Sequence, residues 1–227
     1  MVKVRKKCLC TIFSLVTFVF LFSACSQSAL EECQNKISDE RQNYFEGETQ
    51  NYYVSFSSGM RESPYVLNGK SENCVEFGVV TIKPKGGFEE ENITYKVCVD
   101  NDEFSGEFEK SPFDDSYAAD ISKKVDEDAV LIIKVNNGSG EEVAEMTNIT
   151  SGFKINSQKA LEIALNEIGE KYDGLKNKDF EIYIKIVADI TNKMPDKYYL
   201  VMFLDCEGNS LNVIINPQTG ECEIKKL

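Results

Sequence analysis

The sequence predicts an α+β chain: an antiparallel β-sandwich-like domain followed by a small domain with one helix on an antiparallel sheet. Three observations carry that reading. Residues 52–153 alternate β-branched and aromatic runs with turn-forming residues and show no convincing helical period. After Asn156-Ser157, Leu161, Ala164, Leu165 and Ile168 fall at the helical period, with Tyr172 continuing the stripe and Gly169 and Gly174 bracketing its end. From Phe180 to Ile190 the pattern then changes to strict alternation, the signature of a strand with one face on a core and one in water.

Ahead of these domains stands a basic segment (Lys3, Arg5, Lys6, Lys7) followed by an apolar run from Leu9 to Phe22. Small residues Ser23 and Ala24 come next, then Cys25. This is the charged, apolar and small-residue order of a secretory signal. With a cysteine directly after the small residues, Leu21-Phe22-Ser23-Ala24-Cys25 resembles the lipobox of a bacterial lipoprotein, with Phe22 where Leu is usual. The resemblance implies cleavage before Cys25, lipidation of its sulfur with fatty-acyl chains such as palmitate, and attachment to the outer face of the cell membrane. The apolar run is short for a spanning helix, which needs about 20 residues.

Removing residues 1–24 takes away four basic residues and no acidic one, so the formal charge of −13 becomes −17 over the remaining 203 residues. So acidic a surface repels phosphate backbones, which excludes nucleic acid as a partner class. No polybasic patch follows Cys25, so the acyl chains alone must hold the anchor. The chain has no histidine, which excludes Ser-His-Asp and Cys-His catalysis and the commonest zinc ligand.

Residues 25–50 read as a lipidated tether. Ser28-Ala29-Leu30-Glu31 forms a capping box, and the spacing of Leu30, Ile37 and Tyr44 predicts a helix running to about Tyr44. Residues 51–153 form the β-domain. Its strands are expected at Tyr52–Phe56, Val75–Ile82, Ile93–Val99 and Ala129–Val135, with turns at Asn68-Gly69, Gly86-Gly87, Asn101-Asp102 and Asn136-Asn137-Gly138. In the pairs Tyr52-Tyr53 and Tyr198-Tyr199, strand alternation sends one member of each to the core.

Residues 154–227 are the third part. Asn156-Ser157 caps the helix, Lys197–Leu204 and Leu211–Ile215 are strands, and Asn216–Gly220 turns the chain into a last strand, Glu221–Ile224. The helix Asn156–Leu165, the strand Lys197–Val201 and the closing Val213–Glu221 segment together resemble a PepSY domain. Asn216-Pro217 stands where that family usually has Asp and a non-proline residue. The resemblance covers about a third of the chain. It implies a non-catalytic module of the kind found in metallopeptidase propeptides and envelope proteins, and it brings no catalytic residues.

Five cysteines lie beyond Cys25: Cys33, Cys74, Cys98, Cys206 and Cys222. Outside the membrane, such widely spaced cysteines suggest disulfides. Cys74 and Cys98 are the candidate pair, since both fall in the β-domain. A Cys206–Cys222 bridge is disfavoured, because a strand spanning ~17–20 Å separates the two and bridged Cα atoms lie ~4.4–6.8 Å apart. The acidic runs Asp100-Asn101-Asp102-Glu103 and Asp126-Glu127-Asp128 suggest calcium, yet a loop starting at Asp100 has Phe104 and Ser105 where an EF-hand needs a ligand and a glycine. No metal or other cofactor is expected.

The sequence therefore points away from an enzyme. The expected function is a membrane-anchored binding or regulatory module acting on a secreted peptidase. The alternative is a structural or sensory envelope protein that binds a surface protein or polymer through its β-domain.

Overall fold

The computed structural model describes residues 30–86, 92–169, 171, 174–175, 178–188 and 197–225. The chain is a mixed fold dominated by strands, with few helices. The strands are β1 (Ile37–Glu48), β2 (Tyr52–Glu62), β3 (Cys74–Pro84), β4 (Thr94–Val99), β5 (Asp102–Glu107), β6 (Glu109–Lys110) and β7 (Tyr117–Ile121). They continue with β8 (Leu131–Asn136), β9 (Glu141–Glu145), β10 (Thr147–Asn148), β11 (Phe180–Ala188), β12 (Lys197–Asp205), β13 (Ser210–Ile215) and β14 (Cys222–Lys225). Among the described residues one long helix, α1 (Ser157–Ile168), precedes β11.

A ten-stranded sheet runs β14-β13-β12-β11-β1-β2-β3-β7-β6, with β10 paired to β1, and a second sheet runs β5-β4-β8-β9. The larger sheet crosses both parts that the sequence divides at residue 153. Its seam is β1, which pairs antiparallel with β2 from Asp39↔Arg61 to Glu48↔Tyr53 and parallel with β11 at Ile37↔Ile182 and Glu40↔Ile184.

The helix expected to reach Tyr44 is thus corrected. Helical geometry covers residues 30–34, and the chain is strand from Ile37; Ser28 and Ala29 of the capping box lie outside the described residues. One apolar residue per seven gives a helix too narrow a stripe to bury. As a strand, the same segment serves two cores: Phe45 is buried in one, while Ile37 and Tyr44 pack against the other. Pairing energy from both edges overrides the local pattern.

The first core lies between the two sheets. Phe45, Val54, Phe56, Val80 and Ile82 from the large sheet meet Tyr95, Val97, Val99, Leu131, Ile133 and Val135 from the small one. Alternation decides which residues enter it, so Tyr52 is buried and its neighbour Tyr53 is 58% exposed. Asp100 and Asn101 make the turn between β4 and β5, so the acidic run Asp100-Asn101-Asp102-Glu103 lies on this hairpin.

The second core is built by α1 against β11–β14. Asn156 caps the helix, its side chain accepting from the Lys159 N–H at 2.8 Å. Ala160, Leu161, Ala164 and Ile168 then meet Phe180, Ile182, Ile184, Val201, Phe203 and Val213. Tyr199 is buried here and Tyr198 is half-exposed. The alternating strand is described from Phe180 to Ala188; Asp189 and Ile190 lie outside the described residues.

At the β12–β13 turn, Asp205 accepts from the N–H groups of Glu207 (3.0 Å) and Asn209 (2.8 Å), the Asn209 side chain (3.0 Å) and Lys178 (3.1 Å). The Asn209 amide leads in holding its pKa down to about 2. A depressed carboxyl pKa adds stability above the unfolded value, and that stability is lost as pH falls toward the folded one. Acid unfolding of the wild type should therefore steepen between about pH 4 and 2, and Asp205→Asn should flatten that part of the curve.

Cys74 and Cys98, the candidate disulfide pair, stand as two free thiols on different sheets. Cys74 begins β3 in the large sheet, beside the Ser71 hydroxyl at 3.1 Å. Cys98 sits on β4 between Val97 and Val99, whose side chains fill the first core, so its own points away from the large sheet. A bridge would require rebuilding that strand. Cys206 and Cys222 lie at opposite ends of β13, Cys222 being paired with Ile215. In native conditions a thiol reagent should label Cys74 and Cys206 quickly, and buried Cys33 only after unfolding. Mass mapping of the adducts reads this out.

Candidate binding face

Residues paired across a ladder share a face, so register defines the surface of the large sheet turned away from the first core. Asp39 opposes Arg61 and Tyr183, Arg41 opposes Gly59, Gly59 opposes Phe77, and Val79 opposes Asp120. Lys185 lies two residues beyond Tyr183 and is paired with Leu200. Four strands, β3, β2, β1 and β11, thereby bring Phe77, Arg61, Asp39, Arg41, Tyr183 and Lys185 onto one surface.

Its floor is Phe77, a fully buried ring with the Arg61 guanidinium 4.8 Å and the Arg41 guanidinium 5.9 Å from its centroid. Arg61 is held by Asp120 through two contacts of 3.4 and 3.0 Å. Arg41 donates to the Ser57 hydroxyl at 2.9 Å, while its Nε stands 3.7 Å from Asp39 Oδ1. Lys185 places its ammonium 5.5 Å from the centroid of the Tyr183 ring.

Beside this group lies a carboxyl group the sequence assigns to water. Glu181 occupies a polar position of the alternating strand, yet it is fully buried. The 63–73 loop between β2 and β3 covers it. Asn68 N–H (2.8 Å) and Gly69 N–H (3.3 Å) donate to Oε1; the Ser38 hydroxyl (2.9 Å) and Tyr183 hydroxyl (3.2 Å) donate to Oε2. The Tyr183 hydroxyl also bonds to that of Tyr65. The loop is tied down further by Lys36, which donates to Gly69 O at 3.2 Å, and by the Ser71 N–H, which donates to Asn35 O at 3.0 Å. Gly69 has φ +76°, and a Cβ there would stand 2.6 Å from Asp179 Cβ, so no other residue fits this approach.

Burial shifts the titrations of this face. It raises Asp39 above the usual carboxyl range, against the opposing pull of Arg41, Lys185 and Arg61. It lowers Lys185, which Asp39 partly offsets and Arg41 reinforces. Burial first, then the bond to Tyr65 and the nearby charges, lifts Tyr183 far above the phenol range; burial also raises Tyr65. Both phenols therefore act as fixed donors at neutral pH. The arrangement suits recognition of charged and hydrogen-bonding groups.

Among the described residues no group of three or more Asp, Glu or Cys is placed to hold a metal ion, and no helix is long and apolar enough to cross a membrane. Cys25 lies outside the described residues. Arg41, Lys185 and Glu181 carry no motif in the sequence. Only Asn68-Gly69 gave a signal there, as a turn. No family model, no curated protein and no solved structure matches the chain.

Proposed function

We propose that the chain is an extracytoplasmic lipoprotein, held to the bacterial cell membrane by acyl chains on Cys25, and that it is a non-catalytic binding or regulatory module. A secreted peptidase is the leading class of partner, drawn from the PepSY resemblance of residues 154–227. The observation that carries the binding reading is the surface just described, where aromatic, cationic and phenolic groups from four strands and a strapped loop share one face. Tyrosine and arginine are the residue types enriched at binding hot spots. The order of elements supports the finer fold reading, a sandwich-like domain joined to a PepSY-like one.

Intact-mass analysis of the protein purified from bacterial membranes tests the anchor. A mature chain beginning at a diacylated Cys25, with Cys25→Ala shed from the membrane fraction, is the expected result. An unmodified Cys25 in a processed, soluble chain would overturn it.

A further inference from the structure

The loop that covers Glu181 brings two phenols into contact. Tyr65 lies on the 63–73 loop and is 50% exposed, and Tyr183 is a half-buried ring on β11. Their hydroxyls are hydrogen-bonded, and their ring centroids lie 6.2 Å apart at an interplanar angle of 60°. Both rings are held from behind. Lys36 and Asn35 pin the loop at Gly69 and Ser71, and Tyr183 sits inside a strand paired on both sides, with β1 and β12.

The surroundings favour loss of electrons and protons from this pair. The chain has no tryptophan, so its tyrosines are the aromatic rings easiest to oxidise. Glu181 and Glu62 add negative charge near Tyr65, which eases removal of an electron from that ring. Tyr65 also opens to water, which takes its proton. Tyr183 has a base of its own, since its hydroxyl donates to Glu181 Oε2 at 3.2 Å. The Lys185 ammonium, 5.5 Å from the centroid of Tyr183, disfavours a positive charge on that ring, so its proton leaves with the electron. Two neutral phenoxyls then stand side by side, and reactants held in place combine faster than reactants on separate molecules.

We infer that Tyr65 and Tyr183 form an oxidative cross-linking site, joined as dityrosine by hydrogen peroxide acting through a haem peroxidase. One oxidising equivalent takes an electron from Tyr65, whose phenolic proton goes to water. A second takes an electron from Tyr183, whose proton goes to Glu181 Oε2 and later returns to solvent. The radicals couple through ring carbons ortho to the hydroxyls. Each ring gives up the hydrogen on its coupling carbon as a proton, which moves to its own oxygen and restores the phenol. The two electrons and two protons removed reduce one hydrogen peroxide to two waters. The new carbon–carbon bond staples the 63–73 loop to β11. This goes beyond the proposed binding function and stands without it.

The test uses the full lipidated chain in detergent, with its accessible thiols capped by iodoacetamide, treated with hydrogen peroxide and a haem peroxidase. A parallel tube of N-acetyltyrosine shows that the oxidant is active. The expected product is a monomer with dityrosine fluorescence, whose digest contains a Tyr65–Tyr183 peptide pair lighter by two hydrogens than its parts. Amide exchange across residues 63–73 should slow at least about ten-fold in that product. Tyr65→Phe and Tyr183→Phe should each abolish the pair, while Tyr53→Phe, at a 58% exposed tyrosine outside this contact, should leave it. Thermal unfolding of the untreated variants confirms that they are folded. Absence of the pair while N-acetyltyrosine is consumed, coupling of Tyr65 only to other molecules, or an undiminished intramolecular product in Tyr183→Phe would overturn the inference.

Discussion

Glu181→Ala should destabilise the protein by about 3–5 kcal/mol, among the largest effects of any single substitution outside the apolar cores. The side chain is fully buried and accepts four hydrogen bonds from three separate segments: Ser38 on β1, the Asn68-Gly69 loop, and Tyr183 on its own strand. Truncation leaves the Ser38 hydroxyl and the Asn68 and Gly69 N–H groups without this acceptor, while Tyr183 keeps its bond to Tyr65, and water can replace the carboxylate only near the surface. The loop then loses its main hold on β11. Urea unfolding should show the midpoint shift, and amide exchange should quicken first across residues 63–73. Glu181→Gln, which keeps one acceptor oxygen but turns an NH₂ toward the remaining donors, should fall between alanine and wild type. Exposed Glu207→Ala, by comparison, removes a surface ion pair with Lys178 and an exposed 3.3 Å hydrogen bond from Asn209, and should cost about 1 kcal/mol or less.

Gly59→Ala should be at least as damaging, at about 3 kcal/mol or more, for a different reason. A Cβ at residue 59 would sit 1.8 Å from the Glu40 carbonyl oxygen and 3.1 Å from the Arg41 Cα. Both obstacles are backbone, so no side-chain rotation relieves the clash. The register of β1 against β2 shifts between Arg41 and Asn43, and Gly59 lies opposite that irregularity. Forcing the strands apart there disturbs the seam, because the same stretch of β1 bonds to β11 on its other edge. Unfolding midpoints should drop, and exchange should rise in β1, β2 and β11 together. Gly140→Ala is the control, since a Cβ there meets nothing within 4 Å; it should stay within about 0.5 kcal/mol of wild type.

The same seam bears on deletion experiments. Removing residues 154–227 would strip β11 from β1 and expose Ile37 and Tyr44, which pack against the second core. The remaining chain would present an open strand edge and is expected to aggregate. Point substitutions on the outer face are the sounder way to divide binding between the two halves.

What could be read from the sequence follows from how local each element's cause is. The helix α1 and strands β11–β14 were legible because their periods, caps and turns lie within short windows: Asn156 caps, and Ile182, Ile184 and Ile186 alternate. The strand β1 was not. Its segment Ser38-Asp39-Glu40-Arg41-Gln42-Asn43 is polar on both faces, and one of its partner strands, β11, lies some 140 residues away. Charged residues are tolerated there because the outer face of the sheet is only half covered, and Asp39 and Arg41 oppose charged or small partners. Glu181 was placed in solvent because alternation reports which face a side chain takes and says nothing of a loop that later covers that face. Gly59 lies beyond Phe56, where the strand expected from the sequence ends; only with β2 extended to Glu62 does it become a glycine inside a strand, the mark of a close backbone approach. The candidate face was out of reach because its residues converge only through the register of four strands.

The most direct test of the account is photo-cross-linking in intact bacteria, with a photoreactive residue placed at Leu200 on the outer face beside Lys185, or at Val143, which is exposed on the edge strand β9. A discrete adduct with one extracytoplasmic protein, a secreted peptidase, is expected from position 200, with loss of that adduct in Lys185→Gln. An adduct from position 143 with none from position 200 would contradict it and transfer the binding function to the β-domain alone.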